Sequence, residues 1–171
     1  MISEVDRLNQ LVTELLQFGA PRDVTFGKVD VKNMVEKIIT LLKKDFAEKE
    51  IRFVQHLNYS APLYGDSDLL MQALLNLLKN SIQATPEGGE ISLDISCDEQ
   101  ACRLSVSDTG VGMSKEAQNK MFDPFFTTRK TGTGLGLSVS HRIVERHNGY
   151  FEINSAVNKG TTITIVLPHK E

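Results

Sequence analysis

The sequence predicts an α/β protein: a two-layer sandwich of one mixed, mostly antiparallel sheet with helices packed on one face, preceded by one N-terminal helix. Three observations lead there. Stretches at 30–48, 66–84 and 137–147 carry apolar residues at helical spacing. The runs 90–97 and 101–108 alternate apolar and polar residues around a short polar turn, a β-hairpin signal, and 150–154 with 161–167 closes the chain as a second strand pair. Helices and strands mix without a regular βαβ repeat, which favours one sheet with helices on one side.

The elements follow in order. Over 1–18, Met1, Val5, Leu8, Val12 and Leu15 recur at spacings of 4, 3, 4 and 3, an apolar seam of two heptads that Gly19-Ala20-Pro21 stops. Such a helix either packs on its own domain or ends a longer coiled helix, because two heptads are marginal alone. Asp30 is a good N-cap for a helix through Val31, Val35, Ile38, Ile39 and Leu42 to about residue 48. Residues 51–57 read as a strand. Asp66-Ser67-Asp68 opens a third helix with acidic residues that suit its dipole. It is very apolar, with Leu69, Leu70, Leu74, Leu75, Leu77, Leu78 and Ile82, and Thr85-Pro86-Glu87-Gly88-Gly89 ends it. In the hairpin, Ile91, Leu93 and Ile95 share one face of their strand, as do Cys102, Leu104 and Val106 of theirs. A short helix is expected around 114–121 within the glycine-rich stretch 110–136. Asn148-Gly149 ends the last helix.

Composition bounds the function. The 171 residues carry 40% hydrophobic and 24% charged residues, enough for one soluble domain with its own core. Nineteen basic against 22 acidic residues give a net charge of −3, which argues against a nucleic-acid binder. No apolar run approaches the roughly 18 residues that cross a bilayer, and no signal-peptide pattern opens the chain. The expectation is a cytoplasmic domain without membrane contact. Cys97 and Cys102 are too few for a disulfide scaffold and are expected as reduced packing residues flanking the hairpin turn.

Four motifs carry chemistry. Asn76 and Asn80, four apart on one face of an apolar helix, need partners, because an unpaired buried amide costs about 1–3 kcal/mol. They are either core amides bonded to backbone or a polar wall facing a ligand or metal. Asp108-Thr109-Gly110-Val111-Gly112-Met113 ends a strand. Its carboxylate suits an exocyclic amine and its glycines admit a flat ligand, or it is an Asx-capped turn. Met121-Phe122-Asp123-Pro124-Phe125-Phe126-Thr127-Thr128 carries two adjacent phenylalanines that either anchor a mobile lid to the core or are ordinary core aromatics. Gly132-Thr133-Gly134-Leu135-Gly136-Leu137 precedes a helix, where successive N–H groups make an anion site, with Arg129 and Lys130 just before it to neutralise phosphate. It matches neither a P-loop nor the dinucleotide pattern.

In this order the motifs resemble the catalytic, ATP-binding domain of bacterial sensor histidine kinases, with the Bergerat ATP-binding fold. Residues 76–84 match its N box, 108–113 its G1 box, 122–126 its F box and 132–137 its G2 box, and Gly160-Thr161-Thr162-Ile163 with Leu167-Pro168 matches its closing strand. The resemblance covers roughly 25–168. It implies ATP and Mg2+ as cofactors. Asn80 would ligate Mg2+ through its amide oxygen, with Asn76 near the phosphates. Asp108 would bind the adenine amine, with Thr161 supporting through water. Gly110 and Gly112 would admit the base. Thr127, Thr128, Arg129, Lys130 and the loop Gly132, Thr133, Gly134, Leu135, Gly136, Leu137 would hold the phosphates. Arg129 stands where Lys is usual, and Gln83 stands where several relatives carry a basic residue.

The resemblance further implies an ATP-binding domain over 25–171 with a lid about 123–134, and makes 1–20 the end of a dimerisation and phosphoacceptor helix. No histidine here has the phosphoacceptor context: His56, His141, His147 and His169 all lack it, so the last two helix histidines, His141 and His147, are expected as surface or packing residues. The implied function is a protein-histidine kinase that donates the γ-phosphoryl group to a histidine outside this chain and does not label itself. Its partners would be its own phosphoacceptor domain, as a homodimer in the full-length protein, and a response regulator receiver domain. A GHKL-type ATPase or a nucleotide-dependent binding module is the alternative. Superfamily ATPases place a Glu one turn before the metal Asn. Here that position is Asn76, a poor base.

Overall fold

Two aspartates start the long helices. Asp30 accepts from the Asn33 N–H at 3.0 Å and opens helix α1, Val31–Glu48. Asp66 accepts from the Leu69 N–H at 3.2 Å and opens helix α2, Ser67–Ala84. Each side chain satisfies a donor that the first turn leaves without a helical partner. The structure, a computed structural model, describes residue 12, residues 23–129 and residues 132–169. The expected helix over 1–18 lies outside the described residues except for Val12.

Five strands form the main sheet: β2 Arg52–Tyr59, β4 Glu90–Cys97, β5 Ala101–Asp108, β6 Tyr150–Ser155 and β7 Thr161–Pro168, in the order β2-β4-β5-β7-β6. Only β2 and β4 pair in parallel, and α2 is the crossover between them. The other neighbours are antiparallel. A two-stranded pair, β1 Gly27–Lys28 with β3 Tyr64–Gly65, ties the start of α1 to the start of α2. Helix α3, Lys115–Lys120, and helix α4, Gly136–Arg146, complete the fold.

Alternation decides which face is covered. Ile91, Leu93 and Ile95 of β4 and Leu104 and Val106 of β5 are buried, packed in one core with Ile38 and Leu42 of α1 and Leu70, Leu74, Leu77 and Leu78 of α2. The opposite face is polar. There Ser105 and Thr164 hydroxyls meet at 2.8 Å, Ser107 and Thr162 at 2.9 Å, His56 meets Asp94 at 2.7 Å, and Arg103 donates to Glu152 at 2.9 Å. The expected two-layer sandwich is therefore present, with every predicted helix and strand over the described residues.

Lys49, the C-cap residue of α1, joins the two long helices. Its ammonium donates to the carbonyls of Ile82 at 2.7 Å and Thr85 at 2.8 Å, capping the C-terminus of α2 with a cation, where the helix dipole favours one.

The expectation of two reduced cysteines is corrected: Cys97 and Cys102 are joined by a disulfide. Register is the reason. Cys97 and Cys102 are directly opposite partners in the β4–β5 ladder, with Cα atoms 4.0 Å apart. The turn between them is fixed by the Asp98 carboxylate, which accepts from the N–H groups of Gln100 at 2.8 Å and Ala101 at 2.9 Å. Reasoning from compartment alone left register out.

Candidate functional site

A cleft of about 800 Å³ opens between α2, the ends of β5 and β7, and the segment from Met121 to Gly134. Its walls grow out of elements already named. Asp108 is the last residue of β5, so the covered face of the sheet delivers its carboxylate to the cleft. Asn76 and Asn80 come from the face of α2 next to its buried leucines.

Asp108 is held from three sides. Its Oδ1 accepts from the Gly110 N–H at 2.9 Å, its Oδ2 from the Ser81 hydroxyl at 2.9 Å, and the Thr161 N–H also donates to the carboxylate. Burial pushes its carboxyl above the ordinary value, and those three donors and the Arg129 charge pull it back. The result is a partly buried acceptor with a fixed orientation.

The turn after Asp108 fits only because of glycines. Gly112 has φ +66°, and a Cβ there would lie 1.9 Å from the Ala156 carbonyl oxygen. Gly160 has φ +82°, and a Cβ there would lie 2.0 Å from the Asp108 carbonyl oxygen. The Val111 N–H donates to Ala84 O at 3.2 Å and the Met113 N–H to Ser155 Oγ at 2.9 Å, which pins the turn to α2 and to β6.

At the other end, the Asn76 side-chain N–H donates to Gly136 O at 3.0 Å and to Ser140 Oγ at 3.2 Å. This ties α2 to the first turn of α4. Leu135, at the N-cap of α4, makes no side-chain capping bond, so the first-turn N–H groups beside Gly136 and Leu137 have no cap of that kind. Arg129 reaches across from the lid. It donates to Asn80 Oδ1 at 3.0 Å, to Asn80 O at 3.3 Å and to Gln83 Oε1. Burial pulls its pKa down, and Asp108 opposes that shift.

The lid is a loop closed on itself. The Phe125 N–H donates to Gly134 O at 3.0 Å, and a Cβ on Gly134 would meet the Phe125 backbone at 2.4 Å. The Thr127 hydroxyl accepts from the Arg129 N–H at 3.1 Å. The two adjacent phenylalanines do not anchor it as a pair, which corrects that expectation. Phe125 has φ +66° and is 61% exposed, and only Phe126 lines the cleft. The anchor is Phe122, whose ring packs against His141 at 4.7 Å and Phe151 at 4.8 Å. A backbone turned into the left-handed region at Phe125 sends its side chain outward.

Of the residues singled out from sequence, Asn76, Asn80, Asp108, Gly112, Thr127, Thr128, Arg129, Gly132, Thr133, Gly134, Gly136, Leu137 and Thr161 line this one cleft. Gly110 and Leu135 stand behind the lining. Gly110 holds the Asp108 carboxylate, and Leu135 is fully buried beneath the loop. Lys130 lies outside the described residues. The Thr161 hydroxyl bonds Ser155 Oγ at 2.8 Å. Sequence reasoning missed Ser81 and the contact of Gln83 with Arg129. Ser81 carried a signal: a serine on an apolar helix next to Asn80, whose hydroxyl needs a partner once buried. Among the described residues no cluster of three or more His, Cys, Asp or Glu could hold a metal. No described helix is long and apolar enough to cross a membrane.

A helix-backed sheet with a carboxylate at a strand end, an asparagine-bearing helix and a glycine-rich lid before a helix N-terminus defines a Bergerat-type module. The family model for "Histidine kinase-, DNA gyrase B-, and HSP90-like ATPase" matches residues 65–171, and the chain belongs to this family. Within it, the relatives and solved structures the chain resembles include sensor histidine kinases and the catalytic domain of one of them. It is 38% identical over 169 residues to sensor histidine kinase ZraS of Escherichia coli strain K12, covering 98% of this chain and 36% of that protein. The full-length structure of ShkA in complex with AMPPNP matches at TM-score 0.85 and 27% identity, over 96% of this chain and 36% of that one. Histidine kinase ThkA in complex with response regulator TrrA matches at 0.81 and 26%, over 98% of this chain and 48% of that one. The chain thus spans about a third of the length of its curated relatives.

Proposed function

We propose that this domain binds ATP with Mg2+ in the cleft and donates the γ-phosphoryl group to a histidine on a phosphoacceptor domain, in two-component signalling. The observation that carries this is the polarity of the cleft. An oriented carboxylate, Asp108, stands beside Ser81 at one end, an amide, Asn76, and a helix N-terminus stand at the other, and the Arg129 cation lies between, on Asn80 and within electrostatic reach of Asp108. That is the order of an adenine amine and a polyphosphate. The ATP analogue bound by ShkA supports the reading.

Asp108, held by Ser81, Gly110 and Thr161, would accept from the base. Gly112 would let the base lie against backbone. The N–H groups of the Gly132–Gly136 loop and of the first turn of α4 would take the phosphates, with Thr127, Thr128 and Arg129 closing over them. Asn80 would ligate Mg2+ through Oδ1. The donor chemistry fits: that oxygen already accepts from a cation, and Mg2+ keeps water and phosphate oxygens as its other ligands. When bound, the metal neutralises phosphate charge. Phosphoryl transfer then depends on position and electrostatics, which this chain supplies. Asn76 favours transfer over hydrolysis. Its amide donates to Gly136 and Ser140, so no base stands one turn before Asn80.

The accepting histidine and the homodimer would belong to a full-length kinase, and its partner would be a response regulator receiver domain. The ThkA–TrrA complex supports the last of these. Residues 1–20 would be the end of the phosphoacceptor-domain helix and 25–171 the ATP-binding domain, in the cytoplasm. With labelled ATP and Mg2+ this chain should bind nucleotide without labelling itself. Adding a protein that carries the missing phosphoacceptor helices should give acid-labile label on histidine. Robust self-labelling, or no binding of ATP, overturns the reading.

A further inference from the structure

We propose that Gln83 is a positioning residue for the polyphosphate: it seats the lid cation Arg129 against α2, beside Asn80. The inference rests on the nucleotide reading above and goes beyond it by giving a role to Gln83, the residue of the matched N box that departs from the family pattern.

Among the described residues, all three hydrogen bonds of the Arg129 guanidinium go to α2. Two are to Asn80, at 3.0 Å to Oδ1 and 3.3 Å to the backbone oxygen, and one is to Gln83 Oε1. Asn80 and Gln83 are three apart and share a face of the helix. Gln83 lies in the last turn of α2, at the negative end of the helix dipole, where a cation is favoured. The lid itself gives Arg129 little else. Its backbone is tied to Thr127 Oγ1, and the loop closes at Phe125 and Gly134.

The two seats differ in what happens when ligand arrives. Asn80 Oδ1 is the oxygen that would hold Mg2+ on the reading above, so Arg129 would have to give it up. Gln83 Oε1 has no other hydrogen-bond partner among the described residues, and it keeps one arm of the guanidinium on α2. A guanidinium has five N–H donors, so the freed ones turn to phosphate oxygens without the side chain leaving its place. A neutral amide also suits this task better than a carboxylate. Glutamine accepts from Arg129 without cancelling its charge, whereas a glutamate would neutralise the cation meant for the phosphates.

The test is affinity as a function of phosphate number, measured on this chain with Mg2+ by calorimetry for adenosine, ADP and ATP. Gln83→Leu should weaken ATP about tenfold, as expected for loss of one contact that orients a charged donor, and leave adenosine unchanged. Gln83→Glu should weaken ATP at least as much, because it keeps the seat and cancels the charge. In an Arg129→Ala background, Gln83→Leu should cost nothing further. Equal losses for adenosine and ATP, no loss for ATP, full ATP affinity in Gln83→Glu, or additive losses in the double variant each overturn the proposal. Wild-type protein that binds ATP no better than adenosine would instead overturn the nucleotide reading itself. Gln83 is exposed, so thermal melts of the variants should match wild type and separate binding from folding.

Discussion

One side of the cleft is built from the core and the other from a loop. On the first side, Asp108 ends a central strand that is paired on both edges, and α2 buries Leu70, Leu74, Leu77 and Leu78 beneath Asn76 and Asn80. On the second, the described residues of the segment 122–134 meet the body through the Phe122 ring and Arg129, and the loop closes through a backbone bond from Phe125 to Gly134. The lesson is a division of labour. On the proposed reading, the group that would read the ligand's base is fixed by the core before binding, and groups that would hold its charge sit on a loop with few ties to the body among the described residues.

The sharpest way to break that contrast is a core truncation. Leu74→Ala, at a position with no exposed surface, should cost about 2–5 kcal/mol in denaturant unfolding. A cost under 1 kcal/mol would mean that α2 is not the rigid wall described.

Next in size is Ser81→Ala. It removes one donor from the Asp108 carboxylate, so the carboxyl should titrate still higher and ATP affinity should fall about tenfold, adenosine falling with it. Unlike a Gln83 variant, it acts at the base end. A loss seen with ATP but not with adenosine would show that Ser81 serves the phosphates instead.

A smaller effect comes from His147, which is buried on the rigid side. Its Nε2 accepts from the Asp66 N–H at 2.9 Å, so the proton sits on Nδ1, which donates to Ile143 O at 2.7 Å. Protonation would set a second N–H against that of Asp66. Burial holds the pKa below the ordinary 6.5, with Ile143 and Asp66 raising it and Arg146 lowering it further. The unfolded chain therefore binds the proton first. The stability that the neutral ring contributes is complete above about pH 6.5 and falls as pH drops through the folded pKa. His147→Gln should flatten the stability curve between neutral and mildly acidic pH. An unchanged slope would remove His147 as its source.

The smallest change belongs to the lid. Phe125→Ala, 61% exposed, should alter stability by no more than about 0.5 kcal/mol. A larger loss would mean that the lid carries part of the fold's stability.

Much of this was legible in the sequence because the signals are local. Alternation in 90–97 and 101–108 gave the hairpin, and Asp30 and Asp66 marked both helix starts. The Asp-x-Gly-x-Gly and Gly-x-Gly-x-Gly runs placed most of the cleft. What stayed hidden depends on pairing at a distance. Nothing in 51–57 says that its neighbour is β4 in parallel, and a two-residue pair such as β1–β3 has no pattern to read. Ser81 and Gln83 are ordinary helix residues until Asp108 and Arg129, 27 and 46 positions later, come to meet them. The disulfide needed register, and the turned-out Phe125 needed its backbone angle.

The order β5-β7-β6 has one more consequence. The last strand before the lid is β5, and the chain after the lid, past α4 and β6, returns as β7, zipped to β5 from Ala101 opposite Pro168 to Asp108 opposite Thr161. The lid is therefore a bridge between two halves that the sheet already holds together. A protease site engineered into it should yield two polypeptides that elute as one particle, part only in denaturant, and reassemble when mixed.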